Sequence, residues 1–194
     1  MDYDKKTALL VVDMQNDFAD PQGSLYVKGA DEVIDAVNGE IAKAKKAGAF
    51  VVYTQDWHPS STPHFHKYGG VWPVHCVFGS WGSEFHPKLD LVDGPILQKG
   101  ADGKDGYSAF SARDPVSQER SDTVLEELLK GLGVEKVVIA GVATDYCVKE
   151  TAFDALKRNF EVAVLTDAVA AVDLEPGDGE RALELIKNAG AHLE

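Results

Sequence analysis

Two cysteines in 194 residues, Cys76 and Cys147, cannot make a disulfide framework, and such sparing use suits a reducing cytoplasm. Basic residues are also scarce: 19 Lys and Arg against 32 Asp and Glu leave a net charge of −13. A surface of that sign repels polyanions, which argues against nucleic acid or an anionic membrane as partner. It does not identify a cationic substrate, because acidic surfaces commonly serve solubility alone. No apolar run approaches the roughly 20 residues of a membrane span, and Met1-Asp2-Tyr3-Asp4-Lys5-Lys6 lacks the apolar core of a signal peptide. Gly131-Leu132-Gly133 precedes an apolar strand instead of following one, so it is no dinucleotide-binding turn, and a phosphate-binding P-loop is missing. There is no internal repeat and no linker. The length predicts one domain over 1–194.

What is present alternates between strand and helix signals. Thr7 to Val12 is a continuous apolar run, as expected of a parallel strand covered on both faces. Ile34, Val37, Ile41 and Ala44 give a helical stripe over about Asp31 to Gly48, and Phe50 to Thr54 is a second strand. Pro95 to Gln98 predicts a third, weaker strand, and Gly100 to Arg120 reads as loop. A helix over about Thr123 to Gly131 leads into a strand at Glu135 to Ala140, then a turn and a helix carrying Val148, Ala152, Ala155 and Leu156. Phe160 to Leu165 is a fifth strand and Gly179 to Ala189 a last helix; the terminal Leu193-Glu194 carries no signal. This alternation predicts an α/β fold, a parallel sheet with helices on both faces.

Four strands end in a residue able to do chemistry: Asp13, Asp56, Lys99, and Cys147 just past a turn. In open α/β sheets the ligand crevice lies beyond the carboxyl ends of the strands, so residues far apart in sequence converge there. One strand ending in Asp or Lys is unremarkable, but four of complementary type form a coherent set. A carboxylate beside a thiol accepts its proton and later returns it to a leaving amine. An ammonium stabilises both anions. Thr144 or Asp145 can cap the helix that follows, placing Cys147 in its first turn, where amides and dipole favour a thiolate and can hold an oxyanion. That combination describes amide hydrolysis through a thioester.

From about 57 to 87 the periodicity fails. The segment is rich in Gly, Pro and Ser and holds all three tryptophans and five of the six histidines, a poor composition for disorder. Asp56 and His58 alternate along an extended chain and so point to one side. With His64, His66 and His75 nearby in sequence, they offer ligands for a divalent metal that would order the excursion. Cys76 reads as a small buried hydrophobe, and His86 and His192 read as solvated.

Four motifs carry a family resemblance: Val12-Asp13-Met14-Gln15-Asn16-Asp17-Phe18; Asp56-Trp57-His58 with Trp72-Pro73-Val74-His75-Cys76; Lys99-Gly100; and Gly141-Val142-Ala143-Thr144-Asp145-Tyr146-Cys147. In that order and strand context they resemble the nicotinamidases (pyrazinamidases) of the isochorismatase-like cysteine hydrolase superfamily. The resemblance implies a six-stranded parallel sheet and a triad of Asp13, Lys99 and Cys147, with the oxyanion on the amides of Ala143 and Cys147. It also implies a cis peptide between Val142 and Ala143. The metal would be held by Asp56, His58 and His75, with His64 as the fourth ligand and His66 as the alternative. Phe18, Trp72 and Tyr107 match positions that hold the substrate ring. The implied activity is hydrolysis of nicotinamide to nicotinate and ammonia, in NAD salvage, with one divalent ion: zinc, or alternatively iron or manganese. Another small amide as substrate, or a non-catalytic metal and thiol sensor using Cys76 and Cys147, are the competing expectations. Nothing in the sequence speaks to oligomeric state.

Overall fold

The computed structural model describes residues 1–101 and 103–194. Asp102, inside the stretch read above as loop, lies outside the described residues. Strands β1 (Thr7–Val12), β2 (Phe50–Asp56), β3 (Ile96–Lys99), β6 (Lys136–Val142), β7 (Glu161–Ala170) and β8 (His192–Leu193) form one parallel sheet in the order β3-β2-β1-β6-β7-β8. A separate antiparallel ribbon pairs β4 (Ser111–Arg113) with β5 (Arg120–Asp122). The helices are α1 (Asn16–Ala19), α2 (Ile34–Ala47), α3 (Leu125–Gly131), α4 (Lys149–Lys157) and α5 (Asp178–Asn188). None of the helices among the described residues is long and apolar enough to cross a membrane.

The continuous apolar run of β1 has a direct structural outcome. Leu9 and Val11 point into one core with Ile34, Val37, Ile41 and Ala44 of α2. Ala8, Leu10 and Val12 point into a second core with Leu125 and Leu129 of α3, Ala152 and Ala155 of α4, and Ile186 of α5. All six residues of β1 are buried, which is why it cannot alternate apolar with polar. The chain leaves β1 toward β2 and β3 on one side and toward β6, β7 and β8 on the other. The order of strands therefore reverses between β1 and β6, and a crevice opens at that point.

Several expectations are corrected. The sixth strand, β8, is only two residues long and uses Leu193, which gave no sequence signal because two residues show no periodicity. Its continuation is fixed by hydrogen bonds, Glu194 N to Val164 O at 3.0 Å and Thr166 N to Glu194 O at 2.8 Å. β7 runs on to Ala170, past the polar Thr166-Asp167 pair that ends the apolar pattern. The β4–β5 ribbon lies where loop was expected; its residues are half-buried or exposed, so no hydrophobic period marked it. His86, expected in solvent, is buried, with Nε2 3.8 Å from an Asp20 carboxylate oxygen.

Gly141 marks one of the tightest passages of the main chain. Its φ is +109°, and a Cβ there would stand 2.1 Å from the Val12 carbonyl oxygen on the neighbouring strand. Only glycine fits such a contact. Gly141→Ala is expected to lower unfolding free energy by about 3 kcal/mol or more, at the upper end of overpacking costs. Urea unfolding monitored by circular dichroism measures it.

Candidate active site

The carboxyl ends of β3, β2, β1 and β6 are neighbours in the sheet, and each delivers one reactive group. Asp56 and Lys99 are register partners, which brings the Lys99 ammonium 2.9 Å from Asp56 Oδ1. The same Nζ donates to Asp13 Oδ2 at 2.5 Å and lies 3.3 Å from the Cys147 sulfur and 3.3 Å from the Tyr107 carbonyl. The Asp13, Asp56 and Cys147 donor atoms all lie within 4.8 Å of one another. Thr54 completes the cradle: its hydroxyl donates to Asp13 Oδ1 at 2.6 Å and accepts the Asp13 amide at 3.1 Å. Asp13 itself takes φ +51°, a left-handed backbone rare outside glycine and typical of a side chain aimed for function.

The two carboxylates are not equivalent. Burial raises the pKa of Asp13, the charge of Asp56 adds to that rise, and the Lys99 and Thr54 contacts only partly oppose it. Burial acts the same way on Asp56, but Lys99 and the imidazoles of His58 and His75 outweigh it and hold this carboxyl well below the usual range. Asp13 is the more basic of the pair and Asp56 the more firmly ionised. The Lys99 ammonium, despite burial, is held charged by both.

Cys147 departs from expectation. Burial, with Asp13 and Asp56 nearby, pushes its thiol well above the ordinary range, and Lys99 opposes this only in part. The resting group is a thiol with a basic carboxylate beside it. No helix cap produces a thiolate here, because neither Thr144 nor Asp145 caps: Thr144–Val148 is a single wide π turn led by Ala143. Asp145 instead accepts the amides of Val172 at 3.0 Å and Asp173 at 2.9 Å, tying the turn to the segment after β7. The peptide between Val142 and Ala143 is cis, and Ala143 lines the same cavity as Cys147.

A second cluster abuts the first through Asp56. One ring nitrogen each of His58, His64 and His75 lies within 4.8 Å of the others, and all three residues are buried. Asp56 Oδ2 is 3.5 Å from His58 Nε2 and 3.6 Å from His75 Nε2. Those gaps are long for hydrogen bonds but about right for neighbouring ligands on one divalent ion bound at roughly 2.1 Å. His58 Nε2 is buried and has no hydrogen-bond partner among the described residues. His75 Nδ1 is engaged with the Pro73 carbonyl at 2.7 Å and His64 Nδ1 with Asp105 at 3.1 Å, so each turns Nε2 inward. One oxygen and three nitrogens of this kind fit a divalent metal. His66 is exposed on the 3-10 turn His66–Tyr68 and takes no part. Gly100, with φ +90°, makes the approach possible, since a Cβ there would meet His58 Nδ1 at 2.6 Å.

Between the two clusters lies a cavity walled by Phe18, Trp72, Tyr107 and Tyr146. Trp72 Nε1 donates to the Tyr107 hydroxyl at 3.0 Å, and its ring meets Tyr146 edge-on at 4.9 Å. Residues 7–194 match the isochorismatase domain family. The chain belongs to that family. A nicotinamidase of Escherichia coli is 35% identical over 203 residues, covering 96% of this chain and 93% of the relative. A zinc-bound pyrazinamidase of Pyrococcus horikoshii superposes with a TM-score of 0.87 at 44% identity, covering 97% of this chain and 98% of that one. A PnC1 structure from L. infantum in complex with nicotinate gives a TM-score of 0.89 at 36% identity, covering 100% of this chain and 95% of that one.

Three members of this isochorismatase-family site gave no usable sequence signal. Thr54 sits inside an apolar strand, and its contact with Asp13 depends on the register that pairs Val11 with Tyr53. Asp105 lies in a polar loop that resembles any solvated turn. Tyr146 stood beside Cys147 in the motif, yet only the π turn shows that it faces the cavity. For the imidazole cluster, His58→Ala is expected to reduce bound divalent metal to well below one per chain, while His66→Ala leaves it unchanged. Elemental analysis after dialysis decides between them.

Proposed function

We propose that this isochorismatase-family chain is a nicotinamidase, hydrolysing nicotinamide to nicotinate and ammonia through a thioester on Cys147. The observation that carries the reading is the shared cavity. The Cys147 thiol and the Asp13 carboxylate, both in contact with the buried Lys99 ammonium, form one wall, His64 and His75 of the imidazole cluster another, and aromatic rings much of the remainder. An amide-bearing aromatic heterocycle matches that division, and the nicotinamidase and the zinc-bound and nicotinate-bound neighbours described above support it.

Asp13 accepts the Cys147 proton as the sulfur attacks the carboxamide carbon, which removes the need for a free thiolate at rest. The oxyanion that forms is held on the main-chain amides of Ala143 and Cys147. Asp13 then passes its proton to the departing ammonia, leaving a thioester. Asp13 next takes a proton from water, whose oxygen attacks the thioester carbon, and returns that proton to the sulfur as nicotinate leaves. Lys99 keeps its positive charge throughout and compensates whichever of its neighbours is anionic. Asp56, His58, His64 and His75 would hold the metal, proposed to be zinc, which when bound supplies Lewis acidity toward the ring nitrogen. Phe18, Trp72 and Tyr107 hold the ring so that its carboxamide reaches Cys147. A reducing cytoplasm and NAD salvage form the setting that suits this chemistry. A thiol-sensor reading has less support, because Cys76 is packed in the opposite core from Cys147.

Purified protein is expected to release ammonia from nicotinamide, and to lose this on chelation and regain it with zinc. Cys147→Ala should cut turnover by at least about 10³-fold while folding and metal content persist. A panel on which nicotinamide is not among the best small amides would overturn the reading. Thr54→Val should lower kcat about tenfold, the equivalent of one charge-assisted hydrogen bond of about 1.5 kcal/mol, with metal content unchanged; steady-state kinetics beside elemental analysis tests this.

A further inference from the structure

The imidazole cluster is asymmetric in what lies behind it. His75 Nδ1 is engaged by a neutral carbonyl, that of Pro73, at 2.7 Å. His64 Nδ1 instead meets a carboxylate, Asp105 Oδ2, at 3.1 Å, and both side chains are nearly buried, at 7% and 11% exposure. Asp105 is not a loose loop residue. Its amide donates to the Arg113 carbonyl at 2.7 Å and its carbonyl accepts the Arg113 amide at 2.5 Å, so Arg113, the last residue of β4, holds both of its main-chain groups. The next residue, Gly106, has φ +147°, and a Cβ there would come 3.0 Å from the Ser111 carbonyl oxygen. The ribbon thus fixes the position of one carboxylate against one imidazole.

Charge gives that carboxylate a purpose. Asp56 is the only acidic member of the proposed ligand set, and its other oxygen is already committed to Lys99 at 2.9 Å. Lys99 also holds Asp13. Asp105 adds a second carboxylate beside the imidazoles, itself held ionised, despite burial, by His64 and by the charge of Arg113.

We propose that Asp105 is a positioning residue for the metal. Its carboxylate fixes His64 with Nε2 facing the other two imidazoles, and it supplies, through that ring, the counter-charge that Asp56 shares away to Lys99. The proposal rests on the reading that His58, His64 and His75 hold a divalent ion. Outer-shell carboxylates of this sort commonly change metal affinity by 10- to 100-fold.

The test is zinc affinity, measured by competition with a chromophoric chelator on full-length protein, with no activity assay involved. Asp105→Ala should weaken zinc binding by about 10- to 100-fold. Asp105→Asn, which keeps an acceptor for His64 but loses the charge, should fall between it and the wild type. In His64→Ala the further change Asp105→Ala should cost nothing, because the carboxylate acts only through that ring. Additive losses in the double variant would mean that Asp105 serves the ribbon alone, and would overturn the proposal, as would unchanged affinity in Asp105→Ala. Should Asp105→Ala fail to fold by circular dichroism, wild-type affinity in Asp105→Asn with unchanged pH dependence of binding would overturn the charge role. A wild type that binds no zinc would sink the metal reading itself, a result distinct from any of these.

Discussion

The Lys99 ammonium stands between two carboxylates and a thiol, with only 7% of its side chain in contact with solvent. An ammonium moved out of water without partners costs several kcal/mol, and so does each carboxylate. Here the costs are met jointly, since Asp13 at 2.5 Å and Asp56 at 2.9 Å each need the cation as much as it needs them. Removing the lysine would leave two like charges buried side by side, the arrangement in which one of them must take up a proton. The cluster around Lys99 and the imidazole cluster are therefore not two independent sites. They are joined by Asp56, one oxygen of which faces the ammonium and the other the histidines.

Such a cluster can exist only where several chain segments end together, and the topology decides where that is. A parallel sheet aims all its strand ends the same way, and reversal of strand order between β1 and β6 opens a gap there. Asp13 and Cys147 flank that gap, while Asp56 and Lys99 follow on the next two strands. The proposed nucleophile and its proposed base thus come from segments more than a hundred residues apart, yet the register Val12 to Gly141 sets them side by side. The close approach at Gly141 brings β6 near enough for the turn carrying Cys147 to face Asp13.

How much of this could be read in the sequence follows from which interactions are local. Burial of β1 on both faces shows in its unbroken apolar run, and the helical stripes of α2 and α4 show in their spacing. Asp13, Asp56 and Lys99 could be singled out because each follows an apolar run, and Cys147 because it lies just past the turn after one, and strand ends converge in this class of fold. Thr54 was not legible, since its partner is chosen by register. Asp105 was not, because its role depends on a ribbon held by main-chain hydrogen bonds rather than by an apolar face. The expected cap at Thr144 or Asp145 failed for a related reason: the Asp145 carboxylate found two amides after β7, a long-range choice that local propensity does not contain. Choosing His64 over His66 likewise needed the 3-10 turn that sends one ring inward and leaves the next in solvent.

The segment that follows Asp13 explains how an excursion of thirty-odd irregular residues keeps its shape. Gln15 donates to the carbonyls of Asp56 at 2.7 Å and Ser83 at 2.9 Å, and accepts the Asp56 amide at 2.7 Å. Asn16 donates to the Trp81 carbonyl at 2.8 Å, and Asp17 accepts the amides of Cys76 at 2.7 Å and Ser24 at 3.0 Å. Buried main-chain groups that would find partners in regular secondary structure find them in these three side chains. One motif therefore supplies Asp13, the proposed base, and pins both ends of the loop that carries His58, His64, Trp72 and His75. The order of this loop does not rest on a metal alone. Its anchors are built into the strand-end turn that also presents Asp13, so the geometry linking that carboxylate, the imidazoles and the aromatic wall is set by a single short stretch of chain.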